Sequence, residues 1–577
     1  MAAVEKQDKL GVEAPPQGWL DAGPLPWSLP IPDLDPFGAG RTFRALGASL
    51  LSRPKIPFKK GLETTKAQLG WLWKLAKDGE DAAAGLLATD RRFAAPEWSE
   101  HSRHAFMALS YMLWRKALME LVDEAPGLDE ITRAKARFFV EQTVDMASPS
   151  NALWLNPQVL KELRRTRGRS LYKGLKSWWR DVKGGSGLPS QSSLGAFEVG
   201  RNVAVTPGEV VGRSPLAEVI QYAPATPQVS SVPILIIPPW INKYYILDLS
   251  PANSYIKYLT EQGFTVFAIS WKNPSADMSQ TTFGDYVEQG VQFARQVVED
   301  VTGVADPAAV AYCIGGTLLG VSQAYLKAKG LPTFRALTFF ATMLDFRDPG
   351  EIKIMLDERA LRYVERQLDK KGFLAGSEMA SSFAYLRSRD LLWSYFVDNY
   401  LMGKDPKPFD ILFWNSDFTR MPAAMHKWYL RNMYRENLLR VPGALELNGA
   451  ALDLTSITEP VYKVAAERDH IAPPQTTFLI HGITRAPIRF VLGHSGHIAG
   501  IVNPAAANKG YYYAQEQDVQ APSHVTMEAW KAGAKQHKGS WWPDHVRWLK
   551  AQCGDEVAPP PMGRSLCKAP GTYVFEK

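Results

Sequence analysis

The sequence predicts an α/β fold in which a parallel sheet with helical crossovers follows a mainly helical region and carries a helical insertion late in its course. Three observations predict it. Short apolar runs of strand length alternate with helix-period runs over residues 232–340, and again over 461–492. The alternation stops over about 349–454, where the chain is mostly helical in pattern and rich in aromatic residues. Before residue 195 apolar residues recur at helical spacing, as over 103–127 and 129–144. A helical block inserted late in a strand–helix series is the pattern of a cap on an α/β-hydrolase core.

Composition is compatible with this and excludes other classes. The chain has 577 residues, 46% hydrophobic and 22% charged. That is ordinary globular composition, which rules out collagen-like, coiled-coil and wholly disordered chains. At roughly 100–200 residues per domain the length fits several units, or fewer when one is a large α/β domain. There are 66 basic and 59 acidic residues, a net +7. Spread evenly, this excess does not call for a nucleic-acid partner. The three cysteines, Cys313, Cys553 and Cys567, form neither a disulfide framework nor a zinc cluster, so no metal is expected. Residues 1–10 carry charges where a signal peptide needs an apolar core. No run of 18 apolar residues occurs, so no transmembrane segment and a cytoplasmic setting are expected.

Along the chain, residues 1–45 are rich in Pro and Gly and read as an irregular arm. Residues 46–195 read as the helical N-terminal domain. Within it the segment 161–183 holds nine Lys/Arg against two acids, a net +7, together with Trp178 and Trp179. It reads either as a solvated helix face or as a docking surface for an anionic or amphipathic interface. The Gly/Ser-rich stretch 184–193 looks like a linker. Residues 196–577 form the α/β unit, with the cap inserted over about 349–455. Its strands are expected at 197–205, 210–211, 216–222, 232–237, 264–271, 308–312, 334–340, 461–466 and 488–492. The intervening helices are expected at 254–262, 285–301, 318–329 and 474–479.

The most informative local feature is AVAYCIGGTLLG at 309–320. A β run ends in Cys313, two glycines follow, and a helix begins. This is the layout of a nucleophile elbow, where a sharp strand-to-helix turn lifts one side chain over the sheet and needs small neighbours. Ala311, Gly315 and Gly316 supply them. A thiol at a helix N-terminus also gains from the helix dipole, which favours the thiolate. No G-x-S-x-G occurs as a rival.

In this architecture the acid and then the base follow on loops after later strands. After 461–466 come Glu467, Arg468, Asp469 and His470. After 488–492 come Gly493, His494, Ser495, Gly496 and His497. Asp469 and His497 are the expected pair, with Glu467 and His494 as competitors and His470 as a neighbouring or substrate-facing group. An oxyanion hole needs two N–H donors. One is expected from Ile314, the other from Trp240 or Ile241, because Pro238 and Pro239 have no N–H to give.

With these residues in place, the chain resembles the polyhydroxyalkanoate synthases. The resemblance runs from about residue 144 to the C-terminus. It is carried by VDMASPSNALWLNP, FEVGRNVAVTPGEVV, PPWINKYYILDL, SWKNPSADMS, YCIGGT, LFWNSDFTRMP, ERDHIAP, GHSGHIAG and GSWWPDH, in that order. Length, the IAGIVNP run and GSWWPD look like the single-subunit, short-chain (class I) type, with the medium-chain type, similar in length, as the alternative. The resemblance implies transfer of (R)-3-hydroxyacyl groups from coenzyme A to a growing polyester, with release of CoA. The CoA thioester is then substrate, and no cofactor is expected. It places the family's Cys, Asp and His on Cys313, Asp469 and His497. It also implies a homodimer associated with polyhydroxyalkanoate granules. Two positions depart from the family. Ala311 replaces the usual Gly, and Trp240 stands where many members have Cys, a change expected to reshape the acyl pocket. The alternatives are a thioesterase or depolymerase on the same fold, disfavoured because such hydrolases mostly use Ser, and a granule-associated structural protein.

Overall fold

The computed structural model describes residues 35, 37–78, 81–184, 188–193 and 195–577. The chain has the α/β-hydrolase fold, built on a twelve-stranded sheet. In chain order the strands are β1 (Gly208–Arg213), β2 (Ala217–Tyr222), β3 (Ile234–Ile237), β4 (Val266–Trp271), β5 (Ala308–Tyr312) and β6 (Ala336–Phe340). After the cap come β7 (Val461–Ala466), β8 (Pro487–Gly493), β9 (Tyr511–Ala514), β10 (Val519–Gln520), β11 (Lys535–Lys538) and β12 (Cys567–Lys568). Their order across the sheet is β11-β9-β8-β7-β6-β5-β3-β4-β2-β1-β12, with β10 pairing on β8. The six central strands, β3 to β8, run parallel. The flanking pairings are antiparallel.

The central strands read as unbroken apolar runs because both faces are covered. All four residues of β3 are buried. Leu235 and Ile237 enter the core on one face, Ile234 and Ile236 the core on the other. On the first face lies the helix Ile314–Ala328, whose residues from Ile314 to Leu326 are all buried. It starts directly after Cys313, four residues earlier than its apolar periodicity predicts. The cap enters after β6 and returns before β7. Its helices Glu358–Lys371, Gly376–Leu386 and Ala423–Tyr429 alternate with wider π-helical turns at Arg389–Trp393, Phe396–Leu401 and Leu430–Arg435.

The N-terminal helices pack on the cap largely through polar contacts. Lys135, almost wholly buried, pairs with Asp357. The buried Asp145 carboxylate receives Arg92 at 2.9 Å, Arg389 of the cap at 3.4 Å and Arg115 at 3.5 Å. Tyr400 donates its hydroxyl to Asp181 at 2.8 Å, and the Asn399 amide donates to Ser190 O at 2.7 Å.

Several sequence expectations are corrected. Residues 197–205 make no strand. They hold only an isolated Val199–Val203 bridge, because Gly200, at φ 81°, turns the chain. The irregular arm expected to residue 45 gives way to a helix, Ala39–Ser52, whose start is satisfied by Asp35 accepting from the N–H groups of Ala39 and Gly40 at 2.6 and 2.8 Å. The rest of that arm, 1–34 and 36, lies outside the described residues. The basic run 161–183 is two helical pieces. Pro157–Arg165 ends and Arg169–Lys183 begins where Arg167 and Gly168 both take positive φ, 51° and 84°. Of the linker expected at 184–193, residues 185–187 lie outside the described residues. Ser190 is tied down, its N–H and hydroxyl both donating to Asp181 at 3.0 and 2.6 Å.

The Asp145 cluster yields a stability prediction. Removing a buried carboxylate that holds several guanidiniums costs about 3–5 kcal/mol. Asp145→Ala should therefore lower the guanidinium midpoint sharply. Arg389→Ala, at a side chain one third exposed, should cost no more than about 1 kcal/mol. Equal midpoints for Asp145→Ala and the wild type would show that the network contributes nothing.

Candidate active site

Cys313 sits between β5 and its helix with φ 55° and ψ −126°. This is a strained backbone for a residue with a side chain, and such strain concentrates at functional positions. The neighbouring residues explain how the turn is held. The Cys313 N–H donates to Phe340 O at 2.9 Å, and its carbonyl accepts from the Gly316 N–H at 2.9 Å and the Thr342 hydroxyl at 3.2 Å. A Cβ at position 315 would lie 2.5 Å from Ile237 O and 2.7 Å from Pro238 O. One at 316 would overlap the Thr342 side chain. Both glycines are therefore required by close approach, as the local motif predicts. Ala311, fully buried in β5, is accommodated between β3 and β6.

His497 and Asp469 meet at the carboxyl ends of β8 and β7. The Asp469 Oδ2 lies 2.7 Å from His497 Nδ1. Its Oδ1 accepts from the N–H groups of Ile471 and Ala472, both at 2.9 Å. The imidazole stacks on Tyr312, ring centres 5.4 Å apart, and the Tyr312 hydroxyl donates to His497 O at 3.0 Å. Cys313 follows Tyr312 in the chain and stands near enough for its sulfur charge to act on the imidazole. Burial opposes the imidazolium, but the Asp469 charge, the Cys313 sulfur and the hydrogen bond to Asp469 together outweigh it and hold His497 well above its usual range. Cys313 itself is partly exposed, so the trio is sequestered yet reachable.

The competing residues are engaged elsewhere. Glu467 accepts from Lys531 at 2.7 Å and from the Tyr511 hydroxyl at 2.9 Å. His494 pairs with Arg468 at 2.8 Å and packs on Tyr511. His470 stands beside the pair, where burial and Arg387 push it down to about 4, so it is neutral near pH 7. The loop carrying Trp240 and Ile241 adjoins the elbow through the contact of Gly315 with Ile237 and Pro238. It is fixed by Thr419, whose hydroxyl donates to Trp240 O and whose N–H donates to Ile241 O at 3.0 Å. This arrangement sets Ile314, Trp240 and Ile241 around one corner. The Trp240 indole turns into the core against Tyr286, Trp271 and Phe283, with ring centres 4.7, 5.6 and 6.1 Å away. Phe283 stacks on Tyr429 at 6.0 Å, so Trp240 reaches the site through two intervening rings.

Three features have no counterpart in the sequence reading. Tyr429 and Tyr434 of the cap stand near enough to feel the Cys313 charge, and burial with neighbouring groups raises both phenols. Thr342 bridges the elbow to the end of β6 through Phe340 O, at 3.0 Å. Lys463, fully buried in β7, donates to Thr342 O and lies over the Phe339 ring at 5.5 Å. Burial pushes its ammonium down to about 7. A lysine within the apolar run VYKVAA was the one available signal. The tyrosines and Thr342 carry none. Among the described residues no group of three or more His, Cys, Asp or Glu is placed to hold a metal ion.

Comparison with known proteins gives the following. The model of the N-terminus of poly-beta-hydroxybutyrate polymerase (PhaC) matches residues 89–259, and that of the alpha/beta hydrolase fold matches residues 233–504. The chain is 42% identical over 495 residues to the poly(3-hydroxyalkanoate) polymerase of Methylorubrum extorquens, covering 85% of this chain and 81% of that one. It is 40% identical to the poly(3-hydroxyalkanoate) polymerase subunit PhaC of Cupriavidus necator, covering 91% of both. It is 37% identical to poly(3-hydroxyalkanoate) polymerase 2 of Ectopseudomonas oleovorans, covering 85% of this chain and 87% of that one. Among solved structures it matches a hydrolase from Pseudomonas aeruginosa PA01 with a TM-score of 0.31 and 15% identity, over 52% of this chain and 95% of that one.

Two predictions follow from the geometry. Gly316→Ala forces a methyl into Thr342, so it should cost about 1–3 kcal/mol. Adding Thr342→Ala removes the obstacle, and the double variant should lose less than the two singles summed, read from denaturant midpoints. Strict additivity would remove the contact as the reason for the glycine. The second concerns pH. His497 is raised in the folded state, so its pairing contributes in full below the unfolded value of about 6.5 and fades as pH rises through the raised value. The stability gap between wild type and Asp469→Asn should be wide at about pH 6 and narrow toward alkaline pH. A constant gap would contradict the linkage.

Proposed function

The chain belongs to the poly(3-hydroxyalkanoate) polymerase family, enzymes of the acyltransferase type, and on that premise we propose that it transfers short-chain (R)-3-hydroxyacyl groups, 3-hydroxybutyryl first among them, from CoA to a growing polyester through a thioester on Cys313. The observation that carries this reading is a partly exposed thiol at a strained strand-to-helix elbow, near a buried imidazole that is itself paired with a carboxylate.

His497 takes the Cys313 proton, and the thiolate adds to the thioester carbonyl. Ile314 N–H, with the N–H of Trp240 or Ile241, receives the developing oxyanion. CoA leaves and takes the proton back from His497, so one thioester has replaced another at little net cost. The 3-hydroxyl of the chain end then attacks the acyl–Cys313 bond. Its proton passes to His497, an ester forms, and Cys313 leaves as thiolate. A serine would hold the acyl group as an ester no more activated than the product. Asp469 acts on His497 rather than on the hydroxyl, a reading supported by the occupancy of both its carboxylate oxygens. Neutral His470 faces substrate. The short-chain assignment rests on the class I resemblance of the motifs. The same reading places the enzyme as a cytoplasmic homodimer at the polyester granule.

The test supplies 3-hydroxybutyryl-CoA to wild type and Cys313→Ala. Wild type should release CoA and form insoluble polymer, and the variant should lose on the order of a thousandfold or more of the CoA release. CoA without polymer would make the protein a thioesterase. Equal release from both would remove Cys313 as nucleophile, and preference for medium-chain thioesters would overturn the chain length.

A further inference from the structure

The helix Arg169–Lys183 is mounted with its polar side inward. Its buried residues are Ser170, Gly174, Ser177 and Asp181. They dock on the cap segment Phe396–Leu401. A Cβ at 174 would overlap Tyr400 O, and Asp181 accepts the Tyr400 hydroxyl at 2.8 Å. The apolar side faces out. Tyr172, Leu175, Trp179 and Val182 are 75, 59, 53 and 48% exposed. At 100° per residue these four fall within about 80° of arc. The five cations Arg169, Lys173, Lys176, Arg180 and Lys183 fall in the next arc of about 80°, all on one flank. Each of these cations is exposed; Lys173 is paired with Asp405 at 2.6 Å, which leaves four to meet a ligand, and Lys183 lies over the Trp179 ring at 5.3 Å. Just upstream, Arg164 and Arg167 add exposed positive charge, while Lys161 and Arg165 are paired with Glu97 at 2.8 Å and Glu162 at 2.6 Å.

We propose that this outer face is an interfacial anchor that seats the enzyme on an anionic lipid surface, with the apolar stripe entering the headgroup region and the basic flank meeting the lipid charges. An exposed aromatic–aliphatic stripe beside a cationic flank is the chemistry of a helix lying in a membrane interface. Charge decides the occupant. A bare aliphatic polyester is neutral and gives the cations no counter-charge. An isologous contact that pairs the helix antiparallel with that of a second copy sets each basic flank beside its own image. The inference goes beyond the acyl-transfer reading and stands without it.

The experiment sediments the full-length protein with phosphatidylcholine vesicles containing phosphatidylglycerol, with pure phosphatidylcholine vesicles, and with lipid-free amorphous polyester particles. Binding is expected to the anionic vesicles and to weaken with salt. Two variants are compared. In one, Arg169, Lys176, Arg180 and Lys183 become Gln. In the other, Tyr172, Leu175 and Trp179 become Ser. The first should bind anionic vesicles on the order of a hundredfold more weakly. The second should bind more weakly too, and both should keep wild-type CoA release in solution, which reports an intact fold and a working site separately from lipid binding. Equal binding to neutral and anionic vesicles, unchanged binding by either variant, binding to polyester particles alone, or dissociation of a wild-type oligomer by the serine variant would each overturn the proposal.

Discussion

Cys313 holds φ 55° and ψ −126°, a conformation that costs about 1–3 kcal/mol and persists only where its surroundings leave no alternative. Those surroundings are the ends of three parallel strands. The β6 terminus accepts the Cys313 N–H through Phe340 O. The β3 terminus presses Ile237 and Pro238 carbonyls against Gly315, and Thr342 fills the space beside Gly316. The strain is therefore held by contacts of the turn with the ends of β3 and β6. A fully buried helix follows immediately, so the turn cannot relax forward either.

That rigidity gives the polar groups their electrostatic strength. His497, Asp469 and Tyr312 lie where water is largely excluded, so the attraction between imidazole and carboxylate outweighs the cost of burying charge. The same exclusion acts in the opposite sense where burial outweighs any nearby counter-charge. His470 and Lys463 are both driven toward their neutral forms. The site thus separates one strongly paired histidine from neighbours held neutral, which concentrates the titratable chemistry on the line from Asp469 through His497 to Cys313.

What was legible in the sequence follows the range of the forces involved. The elbow is a local event, spelled out by a β run, a Cys and two glycines. The acid and base sit on loops directly after strands with clear apolar runs, so their chain order could be read, and the surrounding sheet with them. Edge strands such as Lys535–Lys538, with the sequence KQHK and largely exposed, have no apolar period to read. The break at Arg167 and Gly168 depends on two successive positive φ values inside a segment whose charge and helical pattern continue unbroken. Tyr429 and Tyr434 reach Cys313 only because the cap folds back over more than a hundred residues of chain. No spacing rule encodes that return.

The cap is placed differently from the sheet. Its contacts with the N-terminal helices run through Asp145, Lys135–Asp357, Tyr400–Asp181 and Asn399–Ser190, which are directional polar links rather than a continuous apolar core. Such links fix orientation closely but add little net stability each, since desolvation offsets much of their attraction. The helix Arg169–Lys183 lies on this polar seam, and its Asp181 and Gly174 bear directly on Tyr400. The cap also brings Tyr429 and Tyr434 near Cys313. Tyr429 and Tyr434 themselves pack into the apolar core that the cap shares with the helix after Cys313, so the cap is oriented by polar links on one side and held by apolar packing on the other.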